Sequence, residues 1–250
     1  MKYAELIEEL KKKSEEALER NELYDIYVRV YTNEHNRSFE NALSYLKGEH
    51  IITELEKNKY ILVTKKVYKY TITDEVVRIK NEIQREYPEV DFVAWDTAVI
   101  NEFTLHYSIN NYIVVEVERL GIELIVNLLK EKFLKKYTIL THNILSDNRG
   151  LYLNTEKFIV VKPLIQKAPL VGKENKRDIT IEKVMVDLYK DRLYLQYQGE
   201  ELKIIYENIF DKYDINMKKL INYASLRTDI ETYKRYIYEL SIPNKYKLEG

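Results

Sequence analysis

Apolar residues recur at helical spacing through residues 2–20, where Leu6, Ile7, Leu10, Ala17 and Leu18 share one face and lysines and glutamates fill the rest, predicting an amphipathic helix. Residues 24–31, Tyr-Asp-Ile-Tyr-Val-Arg-Val-Tyr, alternate as a short strand would. From Ser38, a suitable helix cap, the pattern turns helical through Phe39, Ala42, Leu43 and Leu46. Gly48 breaks it, and Ile51, Ile52 and Leu55 predict a second helix. Alternation returns through Tyr60, Leu62, Val67, Tyr68 and Tyr70 as a β-ribbon. Helix, turn, helix and ribbon in that order suggest a winged-helix module over residues 1–73.

A connecting helix is expected over 74–87, with Val76, Val77, Ile79 and Ile83 inward and Pro88 ending it. Beyond it, strands at 92–95, 112–117, 137–141 and 158–161 alternate with helices at 97–107 and 121–135, the pattern of a sheet covered by helices. Residues 167–177 carry Pro169, Gly172 and four basic residues without periodicity, and read as a loop or linker. Helical patterns then follow at 180–189, 200–213, 216–227 and 230–240. The expected fold class is therefore mixed α/β: the module at 1–73, an α/β sheet domain at 74–166, and at 167–250 a linker and C-terminal helical region packing on that sheet domain.

Composition narrows the function classes. The 250 residues are 45% hydrophobic and 32% charged, enough for a well-buried core. A formal charge of -1 demands no polyanionic partner, so any nucleic-acid surface must be local. With no cysteine, disulfides, thiolate zinc sites and cysteine nucleophiles are excluded. The opening MKYAELIEELKKK has no apolar signal core, and no run approaches the roughly 18 apolar residues of a membrane span, so a cytoplasmic protein without a membrane partner is expected. None of the six glycines lies in a phosphate-cradling pattern. No Gly-Ser and no Asp-x-Asp occurs either, so the nucleotidyltransferase signature is missing, and no cofactor is expected.

Several residues are candidates for chemistry or binding. Glu116 and Glu118 lie two apart on a strand and so share a face, with Asp91 within reach from a neighbour, a geometry that suits a divalent ion. A nuclease of the restriction type needs Glu-x-Lys there, and Arg119 stands in place of the lysine. The plainer reading is structural: pairing with Arg119, or capping backbone at the strand end. His106, one helical turn after Glu102, suits a general base held by a carboxylate, or else a histidine hydrogen-bonded in the core. His35, His50 and His142 have no ligand spacing, so no metal site is expected. Trp95 precedes Asp96, which can cap the next helix, and reads as a core residue or a partner-binding centre. Residues 57–70 hold Lys57, Lys59, Lys65, Lys66 and Lys69, three tyrosines and no acid. On a ribbon these lysines would meet phosphates while His50 and Thr53 approach a groove, against the alternative of an ordinary solvated surface.

The block YPEVDFVAWDTAVINEFTLHYSINNYIVVEVER at 87–119 resembles the effector-domain core of AbiEi-like proteins, which include DUF6577. These are antitoxin partners of nucleotidyltransferase toxins in bacterial type IV toxin-antitoxin pairs. VKPLIQKAPL at 161–170, IEKVMVDLYKD at 181–191, QGEELKIIYE at 198–207 and YDINMKKLINYASLR at 213–227 extend the resemblance over roughly residues 75 to 240. Two positions depart from the family pattern: Ser225-Leu226-Arg227 replaces a run with paired arginines, and Tyr107 stands where a Gln often follows the His. The resemblance implies a transcription regulator of a phage-defence operon, with an N-terminal module on promoter DNA and a C-terminal domain antagonising a nucleotidyltransferase toxin, an antagonism that need not pass through a stable complex. It also makes Arg227 a candidate partner contact. A metal-dependent nuclease using Asp91, Glu116 and Glu118, or an orphan protein-interaction module, are the alternatives.

Overall fold

One cluster of buried side chains forms in the N-terminal segment and another between the four-stranded sheet and two helices in the computed structural model, which describes residues 3–13, 17–31, 38–63, 65–106, 111–141, 157–172, 177–243 and 246. The chain divides accordingly into one unit of Met1–Tyr68 with Glu207–Gly250 and a second of Lys69–Tyr206. This differs from the three-part division expected from sequence, because the last helices join the N-terminal segment.

In the first unit, helix α1 (Ala4–Lys11) and strand β1 (Leu18–Glu19) are followed by helices α2 (Arg20–Tyr31) and α3 (Phe39–Gly48), then strands β2 (Ile52–Glu56) and β3 (Lys59–Leu62). The three strands form an antiparallel sheet of order β1-β3-β2. Two expectations are corrected. Residues 24–31 are helical, since Leu23, Ile26, Tyr27 and Tyr31 are the buried positions and their spacing is that of a helix. The segment expected as a second helix from Ile51 is instead strand over Ile52–Glu56, because Asn58 takes the left-handed conformation (φ 64°) that closes a hairpin and pairs β2 with β3. The ribbon ends at Leu62, well short of Tyr70. Ser38 caps α3 by accepting from the Asn41 amide. Leu6, Leu10, Leu23, Leu46 and Tyr60 meet in the core. Helices α8 (Met217–Ser225) and α9 (Ile230–Glu239) belong to this unit, and α8 packs on β2, where Lys218 Nζ lies 3.1 Å from Glu54.

The second unit begins with α4 (Asp74–Glu86), capped by Thr73. Strands β4 (Phe92–Asp96), β5 (Ile113–Val117), β6 (Thr138–Thr141) and β7 (Phe158–Pro163) form a sheet of order β4-β5-β7-β6, with β4 antiparallel to β5 and the others parallel. Such a sheet is expected to be covered on both faces. Helix α4 and helix α5 (Ile122–Phe133) cover one face over Phe92, Ala94, Val115, Ile159 and Val161. The alternate residues Trp95, Glu116 and Lys162 point to the other, where α6 (Ile181–Lys190) and the 3-10 turn Arg192–Tyr197 pack. A further pair, β8 (Leu170–Val171) and β9 (Asp178–Ile179), occupies part of the expected loop. The expected helix at 97–107 is only a 3-10 helix, Thr97–Glu102, capped by Asp96 and ending at buried Phe103. The division between the units falls within α7 (Glu200–Lys212). Among the described residues, no helix is long and apolar enough to cross a membrane.

Candidate functional site

Glu116 is fully buried, and its environment is ionic. Its Oε1 accepts a hydrogen bond from Trp95 Nε1 at 3.0 Å and another from Lys183 Nζ at 2.5 Å, while Oε2 has no partner. Lys183, on α6, also donates to Asp187 one turn later at 2.6 Å. Lys162 stands beside Glu116 in the parallel register of β5 and β7, and donates to Asp191 at 2.9 Å. Lys162 Nζ is 3.8 Å from Asp187 and 3.9 Å from Glu116, and lies over the Tyr194 ring at 5.4 Å. Burial opposes the charge on Lys162, yet Glu116, Asp187 and Asp191 outweigh it and hold the ammonium above the ordinary lysine range. Tyr194 moves the same way for a different reason: burial disfavours its phenolate, and Tyr112 and the three carboxylates add to that. Three carboxylates thus face two ammonium groups. The arrangement is a closed electrostatic knot joining β4, β5, β7 and α6.

The acids proposed for metal binding are not brought together. Glu118 lies past the end of β5, exposed, and its carboxylate accepts the Asp91 backbone N–H at 3.1 Å. The Glu118 N–H donates back to the Asp91 carbonyl at 2.9 Å, so these two residues bridge strand ends. The Asp91 carboxylate pairs with Arg177. Among the described residues, no three of His, Cys, Asp and Glu group as a metal site. Trp95 is buried, with its indole N–H spent on Glu116. Glu102 ends the 3-10 helix, and both it and His106 are exposed, so the core placement read for His106 is corrected. The cause is the early end of that helix at Phe103: beyond it the Leu105 N–H is taken by Glu201 at 3.1 Å, and the chain turns outward. Arg227 follows α8 in the first unit, half-buried. His35, His142 and Tyr107 lie outside the described residues.

The basic run divides between the two units. Lys57 and Lys59 flank the β2–β3 turn, His50 is exposed in the turn after α3 (φ 54°), and Thr53 sits in β2 opposite Ile61. Lys65 is committed within the first unit: its Nζ donates to the Phe210 carbonyl at 2.9 Å, and its N–H to the Asp214 carboxylate. Asp214 in turn accepts from the Tyr246 hydroxyl at 2.6 Å. Lys66 forms an isolated bridge with Tyr213, and Lys69 belongs to the second unit.

Sequence reasoning missed Lys162, Lys183, Asp187 and Asp191. A signal was present: a single charge inside an apolar strand, as in IVVEV or FIVVKP, is expensive to bury unless paired, so each such charge implies a partner. Comparison with known proteins gives one family model, a family of unknown function (DUF6577), matching residues 38–242. No curated protein and no solved structure matches the chain.

Proposed function

We propose that this chain, which belongs to DUF6577, is an antitoxin-like transcription regulator of the AbiE type: its first unit binds promoter DNA, and its second antagonises a nucleotidyltransferase toxin. One observation carries the DNA half. The first unit runs helix, strand, helix, helix, strand, strand, with an antiparallel sheet of order β1-β3-β2, and that is the order of a winged helix. In this reading α3 is the helix offered to the groove, with Glu40, Asn41 and Ser44 on its exposed side, and the β2–β3 turn is the wing. Lys57 and Lys59 are then the phosphate contacts, ahead of Lys65 and Lys66, which are engaged with the C-terminal segment. The toxin half rests on the ordered motifs between 87 and 206, two of which meet where Glu201 of QGEEL holds the backbone of EFTLHY, while the motif at 213–227 lies in the first unit.

Filter binding of the full chain to DNA upstream of its own gene, across a salt series, tests the first half. Binding should weaken steeply with salt, and replacing both Lys57 and Lys59 with Ala should lower the slope of log K against log salt by roughly 2. Absent or salt-insensitive binding rejects it. For the second half, co-expression with a nucleotidyltransferase encoded beside this gene should restore growth, and the Lys57/Lys59 double variant should restore it equally. Failure of the wild-type chain to restore growth rejects the antagonism. No observation favours the nuclease, whose three acids are engaged with backbone, Arg177 and Lys183.

A further inference from the structure

Two adjoining hollows lie in the second unit, at the end of the sheet where β5, β6 and β7 begin. The smaller, of about 160 Å³, is lined by Glu75, Arg78, Lys132, Phe133, Lys135, Lys136 and Tyr137. The larger, of about 290 Å³, shares Glu75 and Tyr137 and extends to Asp96, Asn111 and Lys157. Together they reach the lower end of the roughly 300–1,000 Å³ that small-ligand sites occupy.

Charge distinguishes the two parts. Around the smaller hollow four cations face one carboxylate, and Glu75 is already spent on Lys136 at 2.8 Å. Lys132 is paired with Glu131 at 2.6 Å. Among the described residues, no carboxylate pairs with Arg78 or Lys135. In a chain of net charge -1, this is a local excess of positive charge held in a concavity, which is what an anion site requires. The lysines at the end of α5 have an ordinary explanation, since cations favour a helix C-terminus. Arg78, in the second turn of α4, stands three and four residues after Glu75 and Asp74, but Glu75 is taken by Lys136. Its guanidinium is suited to bidentate contact with a phosphoryl group. The larger hollow has the opposite character. Asp96 caps the 3-10 helix through Oδ1, and burial, with Glu75 adding to it, raises its carboxyl above the ordinary range against the Ala98 N–H it accepts and, more weakly, Lys157. Acceptors of this kind match the hydroxyl donors of a sugar.

We infer that this paired hollow binds a small phosphate ester bearing hydroxyl groups, with the phosphoryl group on Arg78 and Lys135 and the hydroxyls toward Asp96. The inference does not depend on the antitoxin reading, and every residue it uses lies outside the first unit.

Calorimetry on the full chain tests it with ribose 5-phosphate, ribose, inorganic phosphate and a short DNA duplex. Ribose 5-phosphate should bind at least tenfold more tightly than phosphate, and ribose should give no heat. Replacing both Arg78 and Lys135 with Ala should weaken both phosphate ligands tenfold or more with the melting temperature unchanged, since both side chains are exposed. Arg78→Gln alone should give part of that loss. Asp96→Asn should weaken ribose 5-phosphate and leave inorganic phosphate unaffected. The inference is overturned if neither phosphate ligand gives heat, if the Arg78 and Lys135 substitutions leave binding unaltered, or if those substitutions weaken only the DNA.

Discussion

Replacing Glu116 tests whether the buried knot stabilises the second unit as a set of pairs or merely fills space. With three carboxylates and two ammonium groups, the wild-type cluster is one negative charge out of balance. Glu116→Ala removes the acceptor of both Trp95 and Lys183 and opens a void beneath the sheet. Breaking a buried pair from one side costs about 3–5 kcal/mol, and that is the loss expected here. Glu116→Gln behaves differently. Its carbonyl oxygen can stay at the Oε1 position, its amide takes the Oε2 position where no donor stands, and the cluster becomes neutral while Lys183 keeps Asp187 at 2.6 Å. A loss of about 1.5–3 kcal/mol, the worth of a charge-assisted hydrogen bond, is expected. Lys183→Met leaves three acids around Lys162 alone and should match or exceed the Ala variant. Trp95 is the only tryptophan and touches the cluster, so its emission during urea unfolding reports this unit directly. Equal losses for Gln and Ala, or an Ala variant within about 0.5 kcal/mol of wild type, would refute the ionic account, since surface-like substitutions fall in that range.

Other expectations follow from single positions. A Cβ at Gly121 would stand 2.9 Å from one Val90 methyl carbon and 3.0 Å from a Val117 methyl carbon, both on stiff side chains. Gly121→Ala should therefore cost about 1–3 kcal/mol in urea unfolding, and a neutral result would mean β5 moves freely there. Burial raises Glu54, but Lys218 and Lys47 outweigh it and hold its carboxyl below the usual range. A depressed acid stabilises above its unfolded pKa, about 4.3, and the contribution is lost as pH falls through the folded value. Glu54→Gln should thus reduce the fall in melting temperature on going from neutral pH to about pH 3, and an identical pH profile would count against that pairing. Gly199 has φ 76°, a conformation disfavoured for side chains by roughly 1–2 kcal/mol, so Gly199→Ala should lower the melting temperature although its Cβ meets no neighbour.

Much of the sheet unit was legible because its strands are short apolar runs bounded by charge, as in FVAWD and FIVVKP. The first unit was less so. In α2 the tyrosines and β-branched residues at 24–31 mimic strand alternation, and only their burial at positions 23, 26, 27 and 31 exposes the helical period. The segment at 51–55 carries apolar residues at helical intervals, but its conformation is fixed by the hairpin that Asn58 closes and by the partner strand β3. The knot around Glu116 was the hardest to read. Lys183 and Asp187 sit on a helix whose local pattern singles out neither of them, and α6 is buried on nearly every side. Pairing between residues 116, 162 and 183 depends on strand register and helix docking, which local periodicity does not encode.

The first unit is assembled from both ends of its sequence, with the second unit inserted between Tyr68 and Glu207. On a ribosome this inverts the usual order of maturation. Residues 69–206 can complete their core as soon as they emerge, whereas the segment before them waits for Asp214 to reach Lys65 and for Tyr246 to hold Asp214 in place. Domains generally fold in order of synthesis. Here residues 1–68 precede the sheet unit in synthesis, yet the unit they belong to has all its parts only after residues 207–246 have followed it.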